Sequence, residues 1–386
     1  MAVGSFKIPG DIVFGEGSFE HLANLEGKKA IIVTGGSSMK RFGFLEKAEE
    51  ILKKGGFEVK IFEGVEENPS VETVIAGKEA MLEFEPDWII ALGGGSPLDA
   101  AKIMWTFYEY PEMTFDELLN APAFPKLRNK ARLACIPSTS GTASEITAFS
   151  VITDTANHIK YPLASPEIVA DVAIIDPIIP AKMPKHITAN TGMDVLAHAT
   201  EALVSSAASD YTDALAIHAI KLVFANLKTA YEEPDNIYAR ERMHNASAMA
   251  GMAFTSASLG LVHSLAHKVG GEFGITHGLA NAILMPYIVQ FNRKASNKVD
   301  LIEKELGIED YPKAIKELNL SLNIPLSLKE VTDFGLNNEA KWNEVIDRMS
   351  ANAYADPCTL TNPRESNPEI VKMIYNHAYN GEDILD

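Results

Sequence analysis

The sequence predicts an α/β domain followed by an all-helical domain. In the first half, short apolar segments alternate with amphipathic helical segments, whereas from Pro184 onward only helical periodicity is present. A length of 386 residues is also long for a single hydrophobic core. These observations favour two domains of different architecture.

Strand and helix signals follow one another through the first half. Segments rich in apolar and β-branched residues predict strands at 29–34, 58–62, 88–92, 131–137, 148–153 and 172–176, with helices at 45–54 and 71–84. Apolar strands separated by amphipathic helices imply a parallel sheet covered on both faces. Residues 1–180 are therefore predicted to form a Rossmann-like domain.

The second half carries helical patterns at 194–206, 210–231, 237–254 and 277–291. The change of pattern falls near residues 176–180, where two prolines favour extended backbone. Residues 181–386 are predicted to form an all-helical domain that binds metal and substrate.

Composition excludes several classes of partner. The formal net charge of −18 makes nucleic acid and anionic membrane poor partners, because binding them relies on clustered Lys and Arg. No stretch of eighteen apolar residues suggests a membrane span, and residues 1–18 lack the pattern of a signal peptide. The two cysteines fit a reducing compartment, so we expect a cytoplasmic protein, with a homodimer as the default assembly.

Metal-ligating side chains cluster in two short segments of the helical half. Asp194 and His198 are spaced i,i+4, and so are His263 and His267, so each pair shares one face of a helix. His277 follows nearby. Imidazoles with a carboxylate suit Fe(II), Zn(II), Co(II) or Mn(II), and the absence of a thiolate argues against a structural zinc site. The alternative is a set of hydrogen-bonded core histidines, but the clustering favours a metal.

Three consecutive glycines, Gly93, Gly94 and Gly95, lie between a predicted strand and a predicted helix. Ser96 is the expected N-cap, Pro97 the first helical residue, and Asp99 complements the helix dipole. Glycines allow backbone amides to approach an anion at a helix N-terminus, so a pyrophosphate could bind there. A tight turn is the alternative, but it explains three glycines poorly.

Two further loops follow predicted strands. The hydroxyl-rich segment 137–145 could donate hydrogen bonds to phosphate or ribose, at the edge where open α/β sheets bind ligands. After the first strand come Gly35, Gly36, Ser37 and Ser38, then Lys40 and Arg41. No acidic residue stands there to hold a ribose 2′-hydroxyl, so NADP(H) is favoured over NAD(H). A solvated turn is the alternative.

The segments GGGSPLDAAK, PSTSGTASE, SPEIVADVAIIDP, TGMDVLAHATEA and GLVHSLAHKVGGEFGITHGLANAILMP together resemble the iron-containing (group III) alcohol dehydrogenases. The likeness spans residues 11–364. It implies that Asp194, His198, His263 and His277 bind Fe(II), with Zn(II) possible in its place, and that His267 is not a ligand. Two departures stand out: Gly35 replaces an aspartate of NAD-linked members, and Ala143 replaces a common glycine.

The resemblance also implies a coenzyme site and an activity. It places Gly94, Gly95 and Ser96 at the pyrophosphate with Asp99 beside it, and Lys160 near a ribose; the other expected coenzyme residues are Asn68, Thr139, Thr142 and Val151. The expected reaction is hydride transfer between NADP(H) and a small primary alcohol or aldehyde whose oxygen the metal polarises. His267 is the candidate proton relay, with a plain structural histidine as the equal alternative.

Three other functions compete with this one. A zinc-dependent polyol dehydrogenase or a dehydroquinate synthase-like enzyme would share the two-domain plan, but those enzymes coordinate zinc with fewer side chains. A metal-dependent hydrolase would need no nicotinamide, and its glycines would serve only as turns. A non-enzymatic binding protein has no reason to combine a metal site with a phosphate loop.

Overall fold

The structure of the protein is a computed structural model, and it describes residues 5–157 and 159–385. The chain clusters into two compact units, Met1–Met183 and Pro184–Asp386. Within the described residues, the first unit contains strands and helices, and the second contains helices without a strand. The predicted fold class, a parallel-sheet domain followed by a helical domain, is confirmed.

The strands of the first unit are β1 (Asp11–Phe14), β2 (Lys29–Gly35), β3 (Glu58–Val65), β4 (Trp88–Gly93), β5 (Arg132–Pro137), β6 (Phe149–Asp154), β7 (Ile159–Ala164) and β8 (Val172–Ile175). Its helices are α1 (Ser38–Arg41), α2 (Phe44–Lys54), α3 (Val71–Phe84), α4 (Gly95–Glu109) and α5 (Phe115–Asn120).

Six strands form one parallel sheet in the order β1-β8-β5-β4-β2-β3. Alternate residues of each strand point to opposite faces. On β4, Ile89 and Ala91 pack into one hydrophobic cluster, while Ile90 and Leu92 pack into another. Both faces are therefore covered, which explains why the predicted strands are apolar throughout.

Two local predictions were wrong. The segment predicted at 148–153 is not in the parallel sheet: β6 pairs antiparallel with β7, whose proline and charged residue hide its strand character from a sequence pattern. Ser96 is not the N-cap of α4, because the helix begins at Gly95, two residues before the predicted first helical residue Pro97, and its cap is Gly94. Extended backbone at Gly94 starts the helix without a side-chain cap.

The helices of the second unit are α6 (Lys185–Val204), α7 (Asp210–Glu232), α8 (Ile237–Ala257), α9 (Leu261–Phe273), α10 (His277–Asn292), α11 (Lys298–Leu306), α12 (Tyr311–Ser321), α13 (Glu339–Tyr354) and α14 (Pro368–Asn380). No single helix within the described ranges is long and apolar enough to cross a membrane; the sharply bent pair α8 and α9 passes that test together, on length and composition alone.

Candidate metal and coenzyme sites

Helix α6 carries Asp194 and His198 on one face, one turn apart. Both side chains are buried, at 4% and 6% exposure. The helix lies close to its neighbour α7, since a Cβ on Gly192 would lie 2.2 Å from the Leu227 side chain. Phe254 stacks on the His198 ring with centroids 4.4 Å apart, so an apolar wall stands beside this ligand candidate.

Helices α9 and α10 bring His263 and His277 to the same place. His277 is the first residue of α10, and the next residue, Gly278, lies against the backbone of α6: a Cβ there would approach the Asn190 carbonyl oxygen to 2.3 Å. Only glycine permits this approach without a shift. The close packing of α10 on α6 therefore places His277 beside Asp194.

The four residues form one cluster whose potential ligand atoms all lie within 4.8 Å of one another. The Asp194 carboxylate oxygens lie 3.5 Å from His277 Nε2, 3.7 Å from His263 Nε2 and 3.9 Å from His198 Nδ1. Ligands bound at 2.0–2.2 Å in a tetrahedron stand about 3.3–3.6 Å apart. The donor set and its spacing thus fit a single divalent ion.

One side of this cluster is open. The side chains of Asp194, His198 and His263 are at most 6% exposed, whereas that of His277 is 42% exposed. Structural metal sites are closed, and catalytic sites keep a position for a small molecule. The exposure of His277 favours the second kind of site.

A buried glutamate orients His263. The Nδ1–H of His263 donates to Glu201 Oε2 at 2.5 Å, and the Val262 backbone N–H donates to Glu201 Oε1 at 2.6 Å. Burial acts to lower the pKa of His263, but the Glu201 and Asp194 carboxylates outweigh it and raise that pKa to about 9. This contact leaves His263 Nε2 directed at Asp194, as carboxylate partners of metal-bound histidines do.

The Asp194 carboxyl is strongly acidic. Burial alone would raise its pKa, but the nearby imidazoles of His198, His277 and His263 hold the pKa well below its ordinary value. The group is therefore a carboxylate at any pH near neutrality, the form that binds a cation.

His267 lies one turn beyond His263 and stacks on the His277 ring with centroids 5.5 Å apart. Its side chain is 39% exposed, and its Nδ1 donates to Asp356 Oδ2 at 3.0 Å. Lys268 Nζ donates to the same oxygen at 2.8 Å. Burial acts to raise the pKa of Asp356, but hydrogen bonds from His267 and Lys268 outweigh it and lower that pKa.

The glycine triplet lies where β4 ends and α4 begins. Of the three glycines only Gly93 has a left-handed φ, +147°, and a Cβ there would lie 2.7 Å from Pro97. Gly95 lies against Thr142, with 3.0 Å from a built Cβ to Thr142 Cγ2, and Gly94 lies near Thr139. The triplet and the hydroxyl-rich loop after β5 therefore form one surface at the carboxyl edge of the sheet.

Asp99 joins this surface to the hairpin of β6 and β7. Its Oδ1 accepts a hydrogen bond from Ser144 Oγ at 2.6 Å, and its Oδ2 accepts one from the Val151 backbone N–H at 3.0 Å. Burial raises the pKa of Asp99, against the lowering effect of nearby Lys102. Val151 itself is an exposed apolar residue of the hairpin.

Asn68 and Lys160 meet beside the glycine triplet. Lys160 Nζ donates to Asn68 Oδ1 at 2.7 Å, and the Asn68 backbone N–H lies 3.4 Å from Ser96 Oγ. Asn68 has a left-handed φ of +59°. Burial lowers the pKa of Lys160, partly offset by Glu67.

Gly35 is the last residue of β2, the strand next to β4, and Gly36, Ser37 and Ser38 follow it, so all four lie at the same edge of the sheet. A Cβ on Gly35 would approach the Val65 carbonyl oxygen to 2.4 Å. Lys40 Nζ lies 3.2 Å from Glu63 Oε1 on β3. The predicted coenzyme residues thus lie at the carboxyl edge of the large sheet or, for Val151 and Lys160, on the β6–β7 hairpin beside it.

The sequence patterns did not identify two residues of these sites: Asn281 lies among the ligand atoms, and Asp356 holds His267. Ser144 belongs to the predicted hydroxyl-rich segment, but its hydroxyl donates to Asp99. The i,i+4 spacing of Asn281 from His277 could have indicated the first. Asp356 belongs to no motif, and only tertiary packing brings it to α9.

Two family models match the chain. One, described as iron-containing alcohol dehydrogenase, matches residues 9–177, and the other, described as the C-terminal part of the Fe-containing alcohol dehydrogenase family, matches residues 188–379. Together they cover most of both units.

Similar proteins agree with the family models. An NADPH-dependent butanol dehydrogenase from Clostridium saccharobutylicum is 49% identical over 98% of this chain and 99% of its own. An aldehyde-alcohol dehydrogenase from Streptococcus pneumoniae is 41% identical over 97% of this chain, which spans 46% of that larger protein. The solved iron-containing alcohol dehydrogenase from Thermococcus thioreducens is 37% identical, covers 98% of this chain and 100% of its own, and superposes with a TM-score of 0.90.

Proposed function

Because the chain belongs to the iron-containing alcohol dehydrogenase family and is an NAD(P)-dependent alcohol dehydrogenase or aldehyde reductase, we propose that it interconverts small primary alcohols and aldehydes with NADP(H) as coenzyme. The observation that carries this proposal is the convergence of one carboxylate and three imidazoles on a single point. A metal-dependent hydrolase would not explain why this chain is similar to dehydrogenases over 98% of its length.

Asp194, His198, His263 and His277 would hold the metal, with Fe(II) favoured and Zn(II) able to replace it. When bound, the ion would supply Lewis-acid polarisation of the substrate oxygen, and the coenzyme would supply or accept the hydride. Glu201 accepts a hydrogen bond from Nδ1 and so directs the Nε2 of His263 towards the ligand cluster. Phe254 excludes water from the side of His198 that it covers.

The preference for NADP(H) is supported by the end of β2. Gly35 brings no carboxylate that would repel a 2′-phosphate, and its Cα lies so close to Val65 that a Cβ would meet the Val65 carbonyl oxygen. Ser37, Ser38 and Lys40 follow with neutral donors and a positive charge. The 49% identical relative is described as NADPH-dependent, which agrees with this proposal.

His267 is proposed to exchange a proton with the substrate oxygen. Asp356 occupies its Nδ1, which leaves Nε2 to carry the proton, and its exposed side chain can exchange that proton with solvent. His267→Ala should lower turnover at least tenfold while the metal content stays unchanged. His218→Ala, an exposed histidine of α7, is the control. Unchanged turnover of the His267 variant with full metal content would remove the relay.

We also propose that the protein is a homodimer. Strand β1 is an edge of the sheet, and its Phe14 is 66% exposed, so this edge can pair with a second copy. Light scattering at micromolar concentration tests this: a mass of 84 kDa, twice the 42.0 kDa of the chain, is expected, and Phe14→Lys should reduce it.

The function is tested by reconstitution. The metal-free protein is loaded anaerobically with Fe(II) or Zn(II), and oxidation of NADPH and of NADH is followed with aldehydes of increasing chain length. We expect faster oxidation of NADPH and activity with four-carbon aldehydes. No oxidation of either coenzyme with any metal or aldehyde would defeat the proposal.

A further inference from the structure

Asn281 lies at the centre of the ligand cluster and is not itself one of the four ligand candidates. It stands on α10, one turn after His277, and is 0% exposed. Its Nδ2 donates to Asp194 Oδ1 at 2.7 Å and lies 3.1 Å from His277 Nε2 and 3.3 Å from His263 Nε2. One amide nitrogen thus contacts three of the four candidates.

The nitrogen of this amide accounts for its placement. The buried Oδ1 of Asn281 has no hydrogen-bond partner among the described residues, so its oxygen does not fix the side chain. An amide NH2 group carries two donors: Asp194 Oδ1 accepts one at 2.7 Å, and the nearer imidazole nitrogen, His277 Nε2 at 3.1 Å, can accept the other. The contacts that fix the side chain are those of Nδ2 with the ligand cluster.

A neutral donor is suited to this position. Lone pairs that converge on one point repel one another before a cation binds, and N–H groups between them offset part of that repulsion. The N–H groups of a lysine or arginine would also offset this repulsion, but the positive charge of either side chain would oppose the binding of a metal cation. An amide orients the ligands without that opposition.

We propose that Asn281 is a positioning residue of the metal centre, whose amide N–H groups hold Asp194, His263 and His277 in the arrangement that receives a divalent ion. This inference rests on the proposed function, because it assumes that the cluster binds a metal. The loss of such an outer partner typically weakens metal binding by 10–100-fold.

The test compares Asn281→Leu with a matched variant. Asn319 is also 0% exposed in the same unit; its Nδ2 donates to the Ala282 carbonyl oxygen at 2.7 Å, and its Oδ1 has no partner among the described residues. Asn319→Leu therefore removes a comparable buried amide that contacts no ligand candidate. Calorimetry with the metal-free full-length chain gives the dissociation constants for Zn(II) and Co(II).

We expect Asn281→Leu to bind both metals 10–100-fold more weakly and Asn319→Leu to bind them within about threefold of the wild type. The metal-dependent rise in melting temperature should shrink only in the Asn281 variant, because that rise depends on metal affinity. If the leucine variant does not fold, Asn281→Ala is measured in its place. A folded Asn281 variant with wild-type affinity would overturn the inference.

The spectrum of the Co(II) protein and the titration of the wild type separate the possible failures. The visible spectrum of the Co(II) protein should keep its band positions in the Asn281 variant, since the four ligands remain. A spectrum that indicates a lost ligand would make Asn281 a ligand instead and overturn the positioning role. If the wild type binds neither metal, the proposed function fails, whereas equal binding by wild type and variant removes only the role of Asn281.

Discussion

Glu201→Gln should change how metal affinity depends on pH. In the wild type, the pKa of His263 is raised to about 9, so its imidazole carries an extra proton at pH 7 that must leave before Nε2 can bind a metal. Because the pKa of His263 in the folded protein is raised to about 9, the proton competes with the metal for Nε2 most strongly at low pH, and this competition disappears above pH 9. Apparent affinity should therefore rise about tenfold per pH unit and be reduced about 100-fold at pH 7.

The glutamine variant removes the charge that raises this pKa. The Glu201 carboxylate has two oxygens, which accept from the Val262 N–H and the His263 Nδ1–H, whereas the glutamine amide has one oxygen. One buried donor therefore loses its partner, at a cost of about 1–3 kcal/mol. We expect the pH dependence to flatten above pH 7 and the limiting affinity at high pH to fall 10–100-fold.

The assay is calorimetric titration of the metal-free protein with Zn(II) or Co(II) between pH 6.5 and 8.5. Glu330→Gln is the control, because Glu330 also accepts two backbone N–H groups but contacts no ligand candidate. If the metal affinity of the wild type does not change over this pH range, or if the Glu201 variant keeps the full pH dependence of the wild type, Glu201 does not control proton competition at His263.

Three glycine or alanine positions give further predictions. Gly278→Ala should weaken metal binding at least tenfold, because its Cβ would displace α10 from the Asn190 backbone. Gly271→Ala is the control, because a Cβ at Gly271 would lie in open space, and equal metal affinities of the two variants would contradict the prediction. Gly35→Ala should lower the free energy of unfolding by about 1–3 kcal/mol and raise the KM for NADPH, since Val65 blocks its Cβ, and denaturant unfolding with coenzyme titration checks both. Gly35→Asp adds to this steric cost a carboxylate that repels a 2′-phosphate, so kcat/KM for NADPH should fall more than kcat/KM for NADH, and equal losses would show otherwise. Ala143→Gly should raise the free energy of unfolding by up to about 1 kcal/mol, because Ala143 has a left-handed φ of +53°, and a decrease in chemical denaturation would contradict this.

Periodicity predicted most of the fold. The predicted helix at 71–84 agrees with α3 (Val71–Phe84), and the predicted strands of the large sheet differ from the observed ones by a few residues at their ends. These elements are regular because local side-chain patterns match the faces that they bury. The hairpin of β6 and β7 was missed because β7 has no apolar alternation and contains Pro162.

The candidate site was predictable where its residues share a helix. The i,i+4 spacing placed Asp194 with His198, and His263 with His267, before any tertiary information. The approach of α10 to α6 depends on contacts such as Gly278 with Asn190, 88 positions apart in the chain. For the same reason the roles of Asn281 and Asp356, which come from contacts between distant segments, could not be inferred from spacing.

Hydride transfer between the coenzyme and the substrate is tested most directly by following the transferred hydrogen. The Fe(II)-loaded protein is mixed anaerobically with butanal and NADPH that carries deuterium at C4 of the nicotinamide, and the alcohol is analysed by mass spectrometry. When the transferred C4 hydrogen is the labelled one, each alcohol molecule formed by the Fe(II)-loaded wild type should carry one deuterium. The metal-free protein and the His277→Ala variant should form no alcohol. Absence of deuterated alcohol from the loaded wild type with either C4 label, or equal amounts of alcohol from the metal-free protein, would contradict metal-dependent hydride transfer from NADPH.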